Sequence, residues 1–147
     1  MEDLKRIRIA GTEYPYRIDL NVLERIQEIY GEIHRFEMDI LGLRYLKDKD
    51  GKQIYDKDGE PRMRSAEPSV HAIRRVLPLM INEGLEIESE ITGKPWEPVT
   101  EKELARNCDV AYEYLAELIH EEYKRCFVTK KPVPGKEEVT AGSTFPG

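Results

Sequence analysis

The sequence predicts an α+β fold, mainly helical, in which an N-terminal β-hairpin packs on a bundle of about four helices. A hairpin-like insertion at 43–67 and a disordered tail at 130–147 complete it. Three patterns carry this expectation. Charged and β-branched residues alternate through Lys5-Arg6-Ile7-Arg8-Ile9, as in a half-buried strand. Apolar residues recur at the spacing of one helix face in several later segments. Proline and glycine crowd the last stretch, which has little apolar side chain to bury.

Taken in order, Ala10-Gly11-Thr12 is a turn, with Gly11 free to take a positive φ. Tyr14, Tyr16 and Ile18 then alternate with Glu13, Pro15 and Arg17 in a second strand, which Pro15 confines to an edge or its unpaired side. A lone hairpin is marginal in water, so its apolar face needs a partner layer. Asp19 is a candidate N-cap for a helix bearing Val22, Leu23, Ile26, Ile29 and Tyr30 on one face, closed by Gly31. A shorter helix is expected from Ile33 to Leu41, ending at Gly42.

Composition shifts from Leu43 to Glu67. Asp48-Lys49-Asp50-Gly51 and Asp56-Lys57-Asp58-Gly59 repeat one turn motif, and Asp-Gly supplies the backbone that tight hairpins need. A protruding β-hairpin is expected, with a mobile loop as the alternative. Pro68-Ser69 opens a helix with the stripe Val70, Ile73, Val76, Leu77, Met80 and Ile81. Pro78 inside it predicts a kink or break, and Gly84 is a candidate end, although Leu85, Ile87 and Ile91 can carry the helix on. Trp96 is expected to fold from its loop onto the core. Thr100-Glu101-Lys102-Glu103 is a capping box, and the helix it starts, with Leu104, Cys108, Ala111, Leu115, Leu118 and Ile119 on one face, is expected to run to about Arg125.

A length of 147 residues fits one domain, placed here at 1–129 ahead of the tail. The formal net charge of -6 disfavours general nucleic-acid binding, which draws its affinity from phosphate neutralisation, and disfavours an anionic membrane surface. No apolar run approaches the ~18 residues of a membrane span, and Met1–Arg8 lacks a signal-peptide core, so the chain is expected to stay in the cytoplasm. Cys108 and Cys126, read on one helix, would stand about 27 Å apart and remain reduced thiols.

Catalytic and metal chemistry find no foothold. A calcium loop aligned on Gly51 puts Leu46 first and Lys57 last, and one aligned on Gly59 puts Ile54 first. His120-Glu121-Glu122-Tyr123-Lys124 begins like a zinc-protease helix but has lysine where the second histidine is required, and His34 and His71 stand apart. There is neither a nucleophile elbow nor a phosphate loop. Glu83, Glu86, Glu88 and Glu90 read as a solvated helix face, and Arg74 and Arg75 as surface cations rather than a DNA-reading pair. No enzyme, cofactor or metal is therefore expected.

The order of blocks resembles one family. Ile7 to Arg17, containing Gly11-Thr12-Glu13-Tyr14, followed by the helix Leu20 to Gly31, resembles the opening of phage tail assembly chaperones. Leu77-Pro78-Leu79-Met80-Ile81-Asn82-Glu83-Gly84 is similar to a second block of that family, and the Trp96 loop, Thr100 cap and closing helix to a third. Together these span most of residues 5–127, with 43–67 as the main departure. The resemblance implies a protein of the bacterial host cytoplasm that coats the tape measure protein, helps recruit tail tube protein, and is absent from the finished virion. It also implies that a longer frameshifted form can exist. A partner surface drawing on Tyr14, Tyr16, Met80 and Ile81 is one expectation; the competing one places these residues in the domain's own core. A structural tail or head–tail component, or a small binding module without catalysis, is the alternative function. Homo-oligomerisation is left open.

Overall fold

The computed structural model describes residues 3–128, and the tail at 130–147 lies outside them. Strands β1 (Lys5–Ile9) and β2 (Thr12–Tyr16) pair antiparallel in the register Ile7↔Tyr14 and Ile9↔Thr12. Ala10 and Gly11 both hold positive φ, 50° and 82°, the two-residue turn whose twist matches the strands it joins. Ile7, Ile9, Pro15 and Tyr16 turn inward to the core.

Helix α1 (Leu20–Tyr30) begins where the Asp19 carboxylate accepts a hydrogen bond from the Val22 N–H, and ends at Gly31. Helix α2 (Ile33–Leu41) ends at Gly42, whose φ of 74° is left-handed. A Cβ at Gly42 would also run into the Ala66 carbonyl, so this position serves both as helix stop and as the seam that closes the insertion.

The insertion corrects the expected single hairpin. Strands β3 (Leu43–Tyr45) and β4 (Met63–Ser65) form its stem, and each Asp-x-Asp-Gly turn closes on itself instead of on the other. Asp48 N–H donates to the Lys52 carbonyl at 2.8 Å and Asp56 N–H to the Glu60 carbonyl at 2.9 Å. The Asp48 carboxylate accepts the N–H groups of Asp50 and Lys52, and the Asp56 carboxylate repeats this with Asp58 and Glu60. At the junction Leu46, Ile54 and Arg62 donate in a ring: Leu46 N–H to Arg62, Ile54 N–H to Leu46, Arg62 N–H to Ile54. Three short arms thus meet at residues eight apart in sequence.

Helix α3 (Val70–Thr92) starts with the Ser69 hydroxyl accepting from Ala72 N–H. It passes unbroken through Pro78, where a break was one expectation, and continues beyond Gly84 through Leu85, Ile87 and Ile91. Buried Ile73, Val76, Leu77, Met80 and Ile81 flank the proline on both sides, and their burial outweighs the ~3 kcal/mol that proline costs a helix. Gly84 lets β2 lie directly on α3, where the Met80 carbonyl accepts the Arg17 N–H at 3.1 Å.

The expected last helix is two helices, α4 (Glu101–Asn107) and α5 (Tyr112–Arg125). Thr100 caps α4 by accepting from Glu103 N–H, as the capping box requires. The chain turns extended at Cys108, and the Asp109 carboxylate then accepts the N–H of Ala10 at the tip of the first hairpin. That long-range bond, at weak helix formers, ends the periodic stripe early. Cys108 and Cys126 consequently follow different helices, and both are free thiols. Five helices and two two-stranded sheets make up the described residues, mainly helical and α+β. None of the helices is long and apolar enough to cross a membrane.

Candidate functional site

The four residues expected at a partner surface separate. Met80 and Ile81 are fully buried and Tyr16 nearly so, all three in the core that joins the hairpin to α1, α3 and α5. Burial, followed by the Glu122 charge, pushes the Tyr16 phenol up to about 12, so it stays neutral. Tyr14 is half-buried at the rim of a hollow with Val99 and Leu104. In this fold only Tyr14 retains surface to offer.

A groove lined mainly by apolar side chains lies instead where α3 and the α4–α5 pair part. The groove, of ≈ 190 Å³, lies between Val70, Ile73, Leu77 and Pro78 on one wall and Leu104, Ala105, Val110, Tyr112 and Leu115 on the other. The helix break at Cys108 opens it: a continuous α4–α5 would have carried its apolar stripe straight past α3. Val70, at the mouth, is 59% exposed. Arg74 and Arg75 reach over to Glu101 at 3.7 and 3.0 Å and tie the α4 end of the groove to α3. An apolar cavity of ~150 Å³ accepts a benzene-sized guest, so this groove has room for one large apolar side chain.

A second concavity, of ≈ 620 Å³, runs between α1 and α3. Its floor includes Val22, Leu79, Ile87 and Trp96, and its rim carries Glu24, Glu83, Glu86 and Glu90. Trp96 is half-buried against the outer side of α3, and does not reach the core as its loop position had suggested. Asn82 fixes this loop by pairing both its amide atoms with the Val99 backbone, at 2.8 and 3.0 Å. An asparagine mid-helix is the signal that could have drawn attention to it.

Within the trough the Glu83 carboxyl is pushed up to about 7. A hydrogen bond shared with Asp19 comes first, then burial, then the charges of Asp19 and Glu86, while the Asn21 amide at 3.1 Å pulls the other way. In the unfolded chain this carboxyl ionises near ~4.3. Between that value and about 7 the folded protein holds a proton that the unfolded chain releases, so stability contributed by this group falls as pH rises through the window. Glu83→Gln is expected to unfold at a higher temperature than wild type at neutral pH and to show a flatter pH profile between about 5 and 7. Thermal melts followed by circular dichroism across that range check it; parallel profiles for the two proteins would contradict it.

The buried charge is elsewhere. Glu122, 3% exposed, accepts the Ile18 N–H at 2.9 Å and is held by Arg125 at 2.8 Å and Lys5 at 3.3 Å. Arg125 in turn donates to the Ile18 carbonyl at 2.6 Å. Burial raises the Glu122 pKa, but the Arg125 and Ile18 hydrogen bonds and the charges of Arg125 and Lys5 outweigh it and hold the group below its ordinary value. This network ties α5 to the hairpin and to the entry of α1. His120 pairs with Glu37 at 3.1 Å and stacks on Tyr123. Among the described residues no three histidine, cysteine or acidic side chains converge as a metal site would require.

Compared with known proteins, the chain matches no family model, no curated protein and no solved structure.

Proposed function

We propose that the chain is a phage tail assembly chaperone that binds the tape measure protein through the groove between α3 and the α4–α5 pair. The observation that carries this reading is an open, apolar-walled groove on a chain whose charged residues make up 35% of its sequence. The order of motifs along residues 5–127 supports it. A tape measure protein is long and helical, and an apolar anchor from such a helix, held in a one-side-chain groove, can be covered and later released. A shallow site gives modest affinity for each contact and many contacts along the length.

Co-expression with the tape measure protein of the same genetic locus tests this reading. A soluble, co-purifying tape measure supports it; an insoluble, unbound one with both chains intact contradicts it. Recovery of the chain from purified particles at the copy number of a structural subunit would favour the tail-component role instead. Val70→Glu and Ala105→Glu place charge at the mouth of the groove, at exposed positions. Glutamate in the first turn of α3 suits the helix dipole, so stability is expected to change by less than ~0.5 kcal/mol while tape measure recovery falls at least tenfold.

A further inference from the structure

The three-armed insertion bears a surface that its own chain leaves uncompensated. Over residues 43–65 there are seven lysines and arginines against five acids, whereas residues 1–42 and 66–128 carry 22 acids against 13 bases. The Asp48 and Asp56 carboxylates accept the turn N–H groups and keep their charge, which leaves the insertion with a net excess of two bases. In the stem, Arg44 stands directly across from Arg64, and like charges opposed on neighbouring strands destabilise the pair. Arg44 and Arg64 line a hollow of ≈ 470 Å³ with Arg35, Lys47, Met38 and Tyr45, where Asp39 is the one acid. Asp39 reaches Arg44 at 3.7 Å, while Arg35, Lys47 and Arg64 take part in no ion pair among the described residues.

The α1–α3 trough has the opposite composition. Glu83, Glu86 and Glu90 follow one another along α3 over roughly 10 Å of helix rise, with Glu24 facing them from α1 and apolar Ile87 and Trp96 beside them. The trough's one cation, Arg25, is paired with Glu28.

We propose that the basic hollow of one copy seats on the acidic rim of the α1–α3 trough of a second copy, a head-to-tail contact between identical chains. The two faces share no residue, so each molecule keeps one of each free after the first contact, and the assembly grows as an open row or closes as a ring. The cross-strand arginines lie ~5 Å apart with Lys47 and Arg35 flanking them, which matches the carboxylate spacing along α3. Met38 and Tyr45 meet Ile87 and Trp96 as the apolar part of the contact. The inference stands apart from the tape measure role.

Sedimentation velocity on the full chain, over a concentration series at low and high salt, tests it. Wild type is expected to self-associate at low salt and to dissociate as salt rises. The pair Arg44→Glu with Arg64→Glu makes both faces acidic, and Glu83→Lys with Glu86→Lys makes both basic. Each pair alone is expected to weaken association at least tenfold, with helical content and melting checked to show that it still folds. An equimolar mixture of the two variants, and the variant carrying all four changes, should associate again. A wild type that is monomeric at every concentration overturns the proposal. So does association that survives either pair of charge reversals made alone, or a monomer whose arginine face instead captures a short DNA duplex.

Discussion

Replacing Gly84 by alanine is expected to destabilise the protein by about 3 kcal/mol, although alanine is the better helix former by ~1 kcal/mol. Gly84 lies well inside α3, and helix propensity alone predicts that Gly84→Ala stabilises. The local surroundings reverse the sign. A Cβ there would stand 2.6 Å from the Pro15 carbonyl carbon and oxygen and 2.8 Å from the Tyr16 nitrogen, all backbone atoms that no rotamer change can move. Strand β2 has to lift from α3, which also loosens the Arg17 N–H to Met80 carbonyl bond and the packing of Tyr16. Chemical denaturation compares the two proteins. A neutral or stabilising Gly84→Ala would mean that the hairpin does not sit on α3 as described.

Glu122→Gln is expected to cost about 3 kcal/mol at neutral pH, the lower end for removing one partner of a buried ion pair. The lower end applies because Lys5 is half in solvent and Arg125 is 23% exposed, so the cations left behind are partly hydrated. Glutamine retains one carbonyl for the Ile18 N–H and loses the charge that Arg125 and Lys5 need. The pH dependence follows from the depressed folded-state pKa. Above the unfolded value, near ~4.3, both states are ionised and the contribution is present in full. As pH falls through the folded value the carboxylate is protonated and the contribution is lost. Wild type should therefore lose stability more steeply on acidification than Glu122→Gln, the two curves converging at low pH. Equal acid sensitivity of the two proteins would contradict the assigned role. Glu83 acts in the opposite sense, which separates the two acids on one pH axis.

The elements that could be read from the sequence are those whose signals are local. Asp19, Ser69 and Thr100 cap helices with their own side chains, and Gly31 and Gly42 end helices because of backbone freedom within a residue or two. The hairpin turn was legible in the same way from Gly11, which holds the positive φ expected of it. What could not be read depends on distant partners. Asp109 ends α4 by serving Ala10, 99 residues away. Pro78 and Gly84 sit in a continuous helix because apolar burial and the hairpin decide there, not propensity. The two Asp-x-Asp-Gly turns announce themselves as turns, but identical turns do not say which flanking residues pair, and the three-armed junction at Leu46, Ile54 and Arg62 went unanticipated. Nothing in the sequence marks Glu122 as the buried acid among the described residues.

The candidate site was legible by halves. Val70, Ile73 and Leu77 formed one apolar stripe, and Leu104 and Leu115 belonged to another. The stripe on α3 continues into Met80 and Ile81, and these the core takes. The separation of the two walls follows from the break between α4 and α5, and so from the bond between Asp109 and Ala10. A partner surface read from periodicity alone therefore falls on the buried length of the stripe and misses the open end at Val70.

Amide hydrogen exchange on the chain, alone and in complex with the tape measure protein, tests the central claim most directly. The account predicts slowed exchange confined to the first turns of α3, to α4 and to residues 108–112, the segments that wall the groove. Slowed exchange at the free hairpin edge or the three-armed insertion with the groove unchanged, or no protection anywhere at saturating tape measure, would contradict it.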